Sequence, residues 1–186
     1  MPYMEDLIIL FSGGADSTLL MEIAKHTRRF PLALMIDYDQ LHIKELEYAK
    51  KYLKKNNIKN LTVKLEGYNV NSALTGNGVQ GLYKDINIYN VPQRNTIFLS
   101  IAAGIAESRK INEVWFGASW EDYELKFPDC FQEYIGRMNK LLEISGVKSI
   151  KIYAPLLGMN KDLIKELLKT YNIKPNEIFS GYGEFA

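Results

Sequence analysis

Cysteine occurs once in 186 residues, at Cys130, and one thiol excludes an internal disulfide and any zinc centre built on several thiolates. Long apolar runs are missing as well. No stretch approaches the roughly 18 residues of a membrane span, and the opening "MPYMEDLIIL" has an acidic flank and a short apolar run in place of a basic leader. Neither sign of charge dominates: 23 Lys and Arg face 22 Asp and Glu, and a net charge of +1 gives no global attraction to nucleic acid or to an anionic membrane. There is no internal repeat and no low-complexity tract. These absences predict a cytoplasmic chain with no membrane or nucleic-acid partner, held together by packing. With 47% hydrophobic and 24% charged residues, 1–186 is expected to form a single domain with a sizeable core.

Short continuous apolar runs at 6–11 ("DLIILF") and 31–38 ("PLALMIDY") read as strands buried on both faces, and "STLLMEIAKHTRR" between them has helical spacing and a basic end. Further strands are predicted at 61–66, near 114–118 and near 150–155. "HIKELEYAKKYLKKNN" sets Ile43, Leu46, Ala49 and Leu53 on one stripe of an amphipathic helix. "RNTIFLSIAAGIAESRK" is apolar nearly all round and predicts a buried helix. Two more helices follow, from Cys130 to Ser145 and from Lys161 to Tyr171, the second with Asn160 as N-cap. The alternation predicts an α/β fold, a Rossmann-like, doubly wound parallel sheet of about five strands. Residues 67–93, rich in Gly and Asn and without sustained period, are expected to be an insertion that covers a substrate.

At the first strand-to-helix turn stands "FSGGADS", residues 11–17. In a doubly wound sheet ligands sit beyond the carboxyl ends of the strands, where a helix N-terminus offers unpaired N–H groups to an anion. Glycines let successive amides line a concave nest for phosphate, and Ser12 and Ser17 add hydroxyl donors, while Asp16 has the reach to orient the loop or meet a magnesium ion. The spacing is neither the three-glycine dinucleotide fingerprint nor a Walker A loop ending in Lys-Ser or Lys-Thr. By spacing alone, an ordinary strand-to-helix turn and a phosphate site both stand.

The same stretch resembles the pyrophosphate loop Ser-Gly-Gly-x-Asp-Ser of the ATP pyrophosphatases, whose fold is adenine nucleotide alpha hydrolase-like. "IDYDQLH" at 36–42, "VPQRNTIFLSIAA" at 91–103, "FPDC" at 127–130 and "APLLGMNKDLIKEL" at 154–167 are similar, in order, to motifs of the 7-cyano-7-deazaguanine synthases. That resemblance implies ATP and Mg2+ as cofactors and small-molecule substrates, 7-carboxy-7-deazaguanine and ammonia. The acid would be adenylated, converted to an amide, activated again and dehydrated to the nitrile by a homodimer. It also implies ATP binding by Phe11, Ser12, Gly13, Gly14, Ala15, Asp16, Ser17, Thr18, Leu19, Leu20 and Met21, with Tyr38, Gln40, His42 and Asn95 near the substrate.

The residue types fit that chemistry. A carboxylate is a poor electrophile until AMP caps it, and attack on phosphorus needs charge neutralisation. Arg94 offers a planar fork for phosphate or carboxylate, and Lys161 a mobile ammonium beside a strand end. With Asp16 they are the expected catalytic residues, although a surface pairing for Arg94 and a solvated first turn for Lys161 are the ordinary alternatives. A deazaguanine presents N–H donors on one edge, and Glu121, Asp122 and Asp129, expected on the loop after the fourth strand, are candidate complements. Trp120, Phe127 and Tyr38 offer rings that stack on a base or simply pack. His42, a lone histidine at a helix start, reads as a cap as readily as a catalyst, and Cys130, without a partner, reads as structural.

Three departures stand out. Family members end in Ser-Cys-Tyr and a cysteine cluster that holds zinc, whereas this sequence has "FSGYGEFA", with Gly181 where the first cysteine belongs, so no zinc is expected. Asp39 and Gln93 replace two motif glycines. Alternatives kept open are an amide-forming or acyl-transferring variant, a tRNA-modifying ATP pyrophosphatase and a non-catalytic nucleotide-binding paralogue.

Overall fold

In β1 (Leu7–Leu10) and β2 (Pro31–Asp37), alternate side chains enter two separate cores. Ile8, Leu32, Leu34 and Ile36 face one layer, and Leu7, Ile9, Ala33 and Met35 face the other, which is why these strands read as unbroken apolar runs. The computed structural model describes residues 4–38, 43–68, 91–125, 127–146 and 148–179, with the backbone alone at 43 and 44. Among the described residues the chain continues through α1 (Ala15–His26), α2 (Ile43–Lys55), β3 (Asn60–Lys64), α3 (Arg94–Arg109), β4 (Glu113–Trp115), α4 (Trp120–Glu124), α5 (Gln132–Ser145), β5 (Lys151–Tyr153) and α6 (Lys161–Thr170). Short 3-10 turns lie at Pro128–Cys130 and Pro175–Glu177.

The five strands are all parallel in the order β3-β2-β1-β4-β5. α3 and α5 cover one face, and α1, α2 and α6 cover the other. The predicted doubly wound sheet is therefore present, and its order reverses between β1 and β4, so the crevice outside their carboxyl ends is where such folds bind ligands. Both edges are guarded. β3 alternates exposed Asn60, Thr62 and Lys64 with half-buried Leu61 and Val63. On β5 the Asn139 side chain donates to the Ile152 carbonyl (3.0 Å) and accepts from its N–H (2.7 Å), taking the place of a sixth strand.

Several expectations need correction. The last two strands are three residues each, shorter than predicted, although the Phe116 N–H still donates to the Tyr153 carbonyl at 3.1 Å just past the end of β4. α3 is buried on one side only: Leu99, Ala102, Ala103 and Ala106 face the sheet, while Ser100 and Gly104 are exposed. A helix in an outer layer keeps a solvent side whatever its composition. Cys130 does not begin α5; it ends a 3-10 turn, and the helix starts at Gln132. Glu121 and Asp122 lie on a helix, α4, where a loop was predicted, because Ser119 and Asp122 form a capping box.

Of the expected insertion at 67–93, residues 69–90 lie outside the described residues. Its two ends are tied together, the Tyr68 hydroxyl donating to the Pro92 carbonyl at 2.6 Å.

Candidate active site

The turn after β1 is shaped by one glycine. Gly13 has φ +85°, and a Cβ there would stand 2.9 Å from the Ala49 N and 3.0 Å from its Cα, so the absence of a side chain lets α2 lie directly on the loop. Gly14 is the N-cap of α1 and brings no side-chain cap, which leaves the first-turn amides directed into the crevice. Ser12 and Ser17 brace the turn from within. Ser17 Oγ donates to the Gly14 carbonyl (3.2 Å) and contacts Ser12 Oγ (3.3 Å), and Ser12 Oγ accepts from the Gly14 N–H (3.3 Å). From the far end of the chain, the Phe179 N–H donates to the Gly13 carbonyl at 3.0 Å. Phe11 is buried and stacked on Tyr52, and Leu19, Leu20 and Met21 are wholly enclosed in the core, so of the expected ATP-binding stretch these four have almost no side-chain surface for a ligand. Thr18 is buried too, and its Oγ1 has no hydrogen-bond partner.

Above the loop, sequence-distant residues meet. Lys161, the first residue of α6, places Nζ 2.7 Å from Asp16 Oδ2. Its backbone N–H donates to Glu121 Oε1 at 2.6 Å, so α4 also holds the start of α6. Burial raises the Asp16 pKa, Lys161 pulls it back, and Asp122 and Glu121 raise it further, leaving it above its ordinary value. For Lys161, burial works against the charge but is outweighed by Asp16, with Asp122 and Glu121 helping, and its pKa is raised. Asp122 itself accepts from the Ser119 N–H (2.8 Å) and hydroxyl (3.1 Å), as the α4 cap. Asp16 Oδ1 and Glu121 Oε2 are buried without a hydrogen-bond partner. Two unspent carboxylate oxygens beside a phosphate-type loop suit a magnesium ion, which takes one or two carboxylates and draws its other ligands from phosphate and water.

The opposite wall is built around Arg94, the first residue of α3. Its charge is felt at Glu45, at the Tyr68 hydroxyl and at Cys130. Beside it, Asn95 Nδ2 contacts Cys130 Sγ at 3.8 Å, and the thiol in turn contacts Asp129 Oδ1 at 3.9 Å. Burial pushes the Cys130 thiol up, as do Asp122 and Asp129, so it stays protonated and is no nucleophile. Tyr38 is buried between Tyr68 and Phe98, at 6.4 and 5.3 Å between ring centres. Trp120 is exposed on α4, and Phe127 packs against the α3–α5 core. Gln93, which stands where the motif has glycine, keeps a left-handed backbone (φ 56°), and its Oε1 accepts from Thr96 Oγ1 at 2.9 Å. Gln40, His42 and Asp39 lie outside the described residues.

These motifs decide the family. The sequence matches the family described as "Queuosine biosynthesis protein QueC" over residues 6–185. The chain belongs to the QueC family. It is 40% identical over 173 residues to the 7-cyano-7-deazaguanine synthase of Coxiella burnetii, covering 85% of this chain and 74% of the relative. It is 34% identical over 194 residues to that of Polynucleobacter asymbioticus, covering 94% and 77%. Among solved structures, NMN synthetase from Francisella tularensis superposes with a TM-score of 0.63 at 18% identity, over 95% of this chain and 66% of that one, a likeness of fold.

Beyond the residues read from sequence, this QueC member brings two more to the crevice. Gly117 is one: a Cβ there would stand 2.9 Å from Asp16 Cβ, so its absence seats Asp16 against the end of β4. Glu45, in the first turn of α2, is the other, and an acid in that position has the ordinary explanation of complementing the helix dipole. Its environment argues otherwise. Burial pushes its carboxyl from 4.5 up to about 7, against the pull of Arg94. Since the folded state holds this proton more tightly, stability declines as pH rises from 4.5 through about 7 and stays lower above. Glu45→Gln should therefore melt about 5 °C higher than wild type at pH 8, corresponding to about 2 kcal/mol, and show little gain at pH 5. Thermal melts at the two pH values test this, and an equal loss at both would mark Glu45 as a stabilising residue.

Proposed function

We propose that the protein is an ATP-dependent carbon–nitrogen ligase that adenylates 7-carboxy-7-deazaguanine and uses ammonia to form 7-cyano-7-deazaguanine. Family membership supports the substrate, since relatives 30–40% identical carry that enzyme's name. The observation that carries the chemistry is the meeting of Lys161 with Asp16 over a glycine turn that brings no side-chain cap to the start of α1. In this reading the loop amides with Ser12 and Ser17 hold the departing β- and γ-phosphates. The substrate carboxylate, oriented by Arg94, attacks the α-phosphorus. Lys161 turns from Asp16 to neutralise charge on the α-phosphate as pyrophosphate leaves. Magnesium, held by Asp16 and Glu121, would neutralise the phosphates. Asp129, beside Asn95 and Arg94, is the carboxylate offered to the N–H edge of the deazaguanine.

The tRNA-thiolation alternative is disfavoured by the sole cysteine, a buried thiol held protonated. We place the enzyme in the cytoplasm, without a nucleic-acid partner, and as a homodimer. Among the described residues no helix is long and apolar enough to cross a membrane. With ATP, magnesium, ammonium and 7-carboxy-7-deazaguanine, the purified protein should release pyrophosphate and yield the nitrile mass. An amide as final product would identify the amide-forming variant, and ATP binding without acid-dependent pyrophosphate release would identify a non-catalytic paralogue and overturn the assignment.

A further inference from the structure

We propose that Glu45 removes the proton from the ammonium nitrogen that attacks the activated carboxyl group, an inference that rests on the ligase reading above. Ammonia is almost entirely ammonium at neutral pH, and its lone pair is unavailable until a base takes a proton. The crevice must therefore hold an acceptor that is neither spent on a cation nor committed to a cap. Asp16 is bonded to Lys161, Asp122 caps α4, and Glu121 holds the Lys161 amide. Among the described residues no hydrogen bond or ion pair restrains Glu45.

Its position follows from how α2 is seated. The Ala49 backbone lies against the Gly13 turn, within 3.0 Å of where a Cβ would be. Glu45 is one turn earlier on the same stripe. Helical side chains lean toward the N-terminus, and α2 follows the carboxyl end of β2, which sets Glu45 at the loop end of the helix, where the charge of Arg94, at the start of α3, acts on it. Arg94 is the one charged group among the described residues that acts on it. Glu177, on the turn packed against the other end of α2, is paired with Lys55. A half-buried carboxylate titrating at about 7 suits a base at neutral pH, ionised often enough to act and basic enough to accept.

In the step, an N–H bond of ammonium breaks and its proton passes to a Glu45 oxygen. The freed lone pair forms the C–N bond, and the acyl C–O bond to AMP breaks with its electron pair leaving on the phosphate oxygen. The remaining surplus N–H proton goes to water, giving the amide.

The test is the ratio of nitrogen product to pyrophosphate released, which a partly unfolded enzyme would leave unchanged. Glu45→Gln should lower this ratio about a hundredfold, the scale of general-base catalysis, as uncaptured acyl-adenylate hydrolyses. The limb near pH 7 in the wild-type profile for ammonium should vanish in this variant. Hydroxylamine, already neutral at pH 7, should restore capture by Glu45→Gln, and Glu45→Asp should recover part of the ratio with ammonium. An unchanged ratio in Glu45→Gln, or equal impairment with hydroxylamine and ammonium, overturns the proposal alone. Wild-type protein that releases no pyrophosphate with the acid overturns the ligase reading and this inference together.

Discussion

Lys161→Ala should lower acid-dependent pyrophosphate release about a thousandfold, the loss typical when a preorganised charge on a transition state is deleted. The same change should destabilise the fold, because it strands its partner. Asp16 and Lys161 side chains are only 21% and 28% exposed, and removing one leaves a desolvated charge without compensation. Partial exposure discounts the usual penalty for a broken buried pair to about 2 kcal/mol. The defect should depend on pH in a defined direction. Burial already raises the Asp16 pKa, and without Lys161 it rises further, so the folded variant binds a proton that the unfolded chain releases. Stability of Lys161→Ala should thus recover as pH falls from 8 to 5 and worsen as pH rises. Denaturant midpoints at the two pH values measure this. The double variant Asp16→Asn/Lys161→Met removes both charges and should regain most of the stability at pH 8 while remaining inactive. A double variant as unstable as Lys161→Ala would show that the pair's packing, not its charge, matters.

That pair also shows which parts of the site the sequence exposes. The glycine turn is local: Ser12 to Ser17 lie within six positions, and a strand-to-helix junction places them at the sheet's carboxyl edge whatever the rest of the chain does. The buried strands are equally legible, because a sheet covered on both faces leaves no polar side to β1 or β2. Glu45 and Gly117 were illegible for a different reason. An acid in a first helical turn and a glycine after a strand each have a common local explanation, and only the packing of α2 on Gly13 and of β4 on Asp16 gives them another. α4 was missed because five residues are too few for a helical period, and its cap uses aspartate where the familiar pattern has Glu or Gln. Asp122 looks like a ligand in a string of acids, yet its geometry is that of a cap. Gln93 is the reverse case: the glycine of related motifs fits a left-handed backbone, and this chain keeps φ 56° with a side chain there.

Gly13→Ala should be strongly damaging for a single added methyl. The residue sits at φ +85°, outside the conformations that an L side chain accepts readily, and its new Cβ would meet the Ala49 N at 2.9 Å, Cα at 3.0 Å and Cβ at 3.1 Å. Two of these three atoms are helix backbone, so α2 must move as a unit. That helix is fixed by Leu46, Ala49, Tyr52 and Leu53 in the core and by the Tyr52 hydroxyl donating to buried Glu22. Backbone strain and the clash together should cost about 3 kcal/mol, and retreat of α2 would open the nest and carry Glu45 out of the crevice. ATP affinity should fall more than a hundredfold. Gly14→Ala is the control, with φ −77° and its only close contact the Ser12 hydroxyl at 3.3 Å, and it should unfold within about 1 kcal/mol of wild type. Ala49→Gly removes the 3.1 Å contact alone, so Gly13→Ala/Ala49→Gly should remain defective. Calorimetric ATP binding and denaturant midpoints for the four proteins decide it: if Gly13→Ala binds ATP like wild type, the close seating of α2 on the loop is not what forms the phosphate nest.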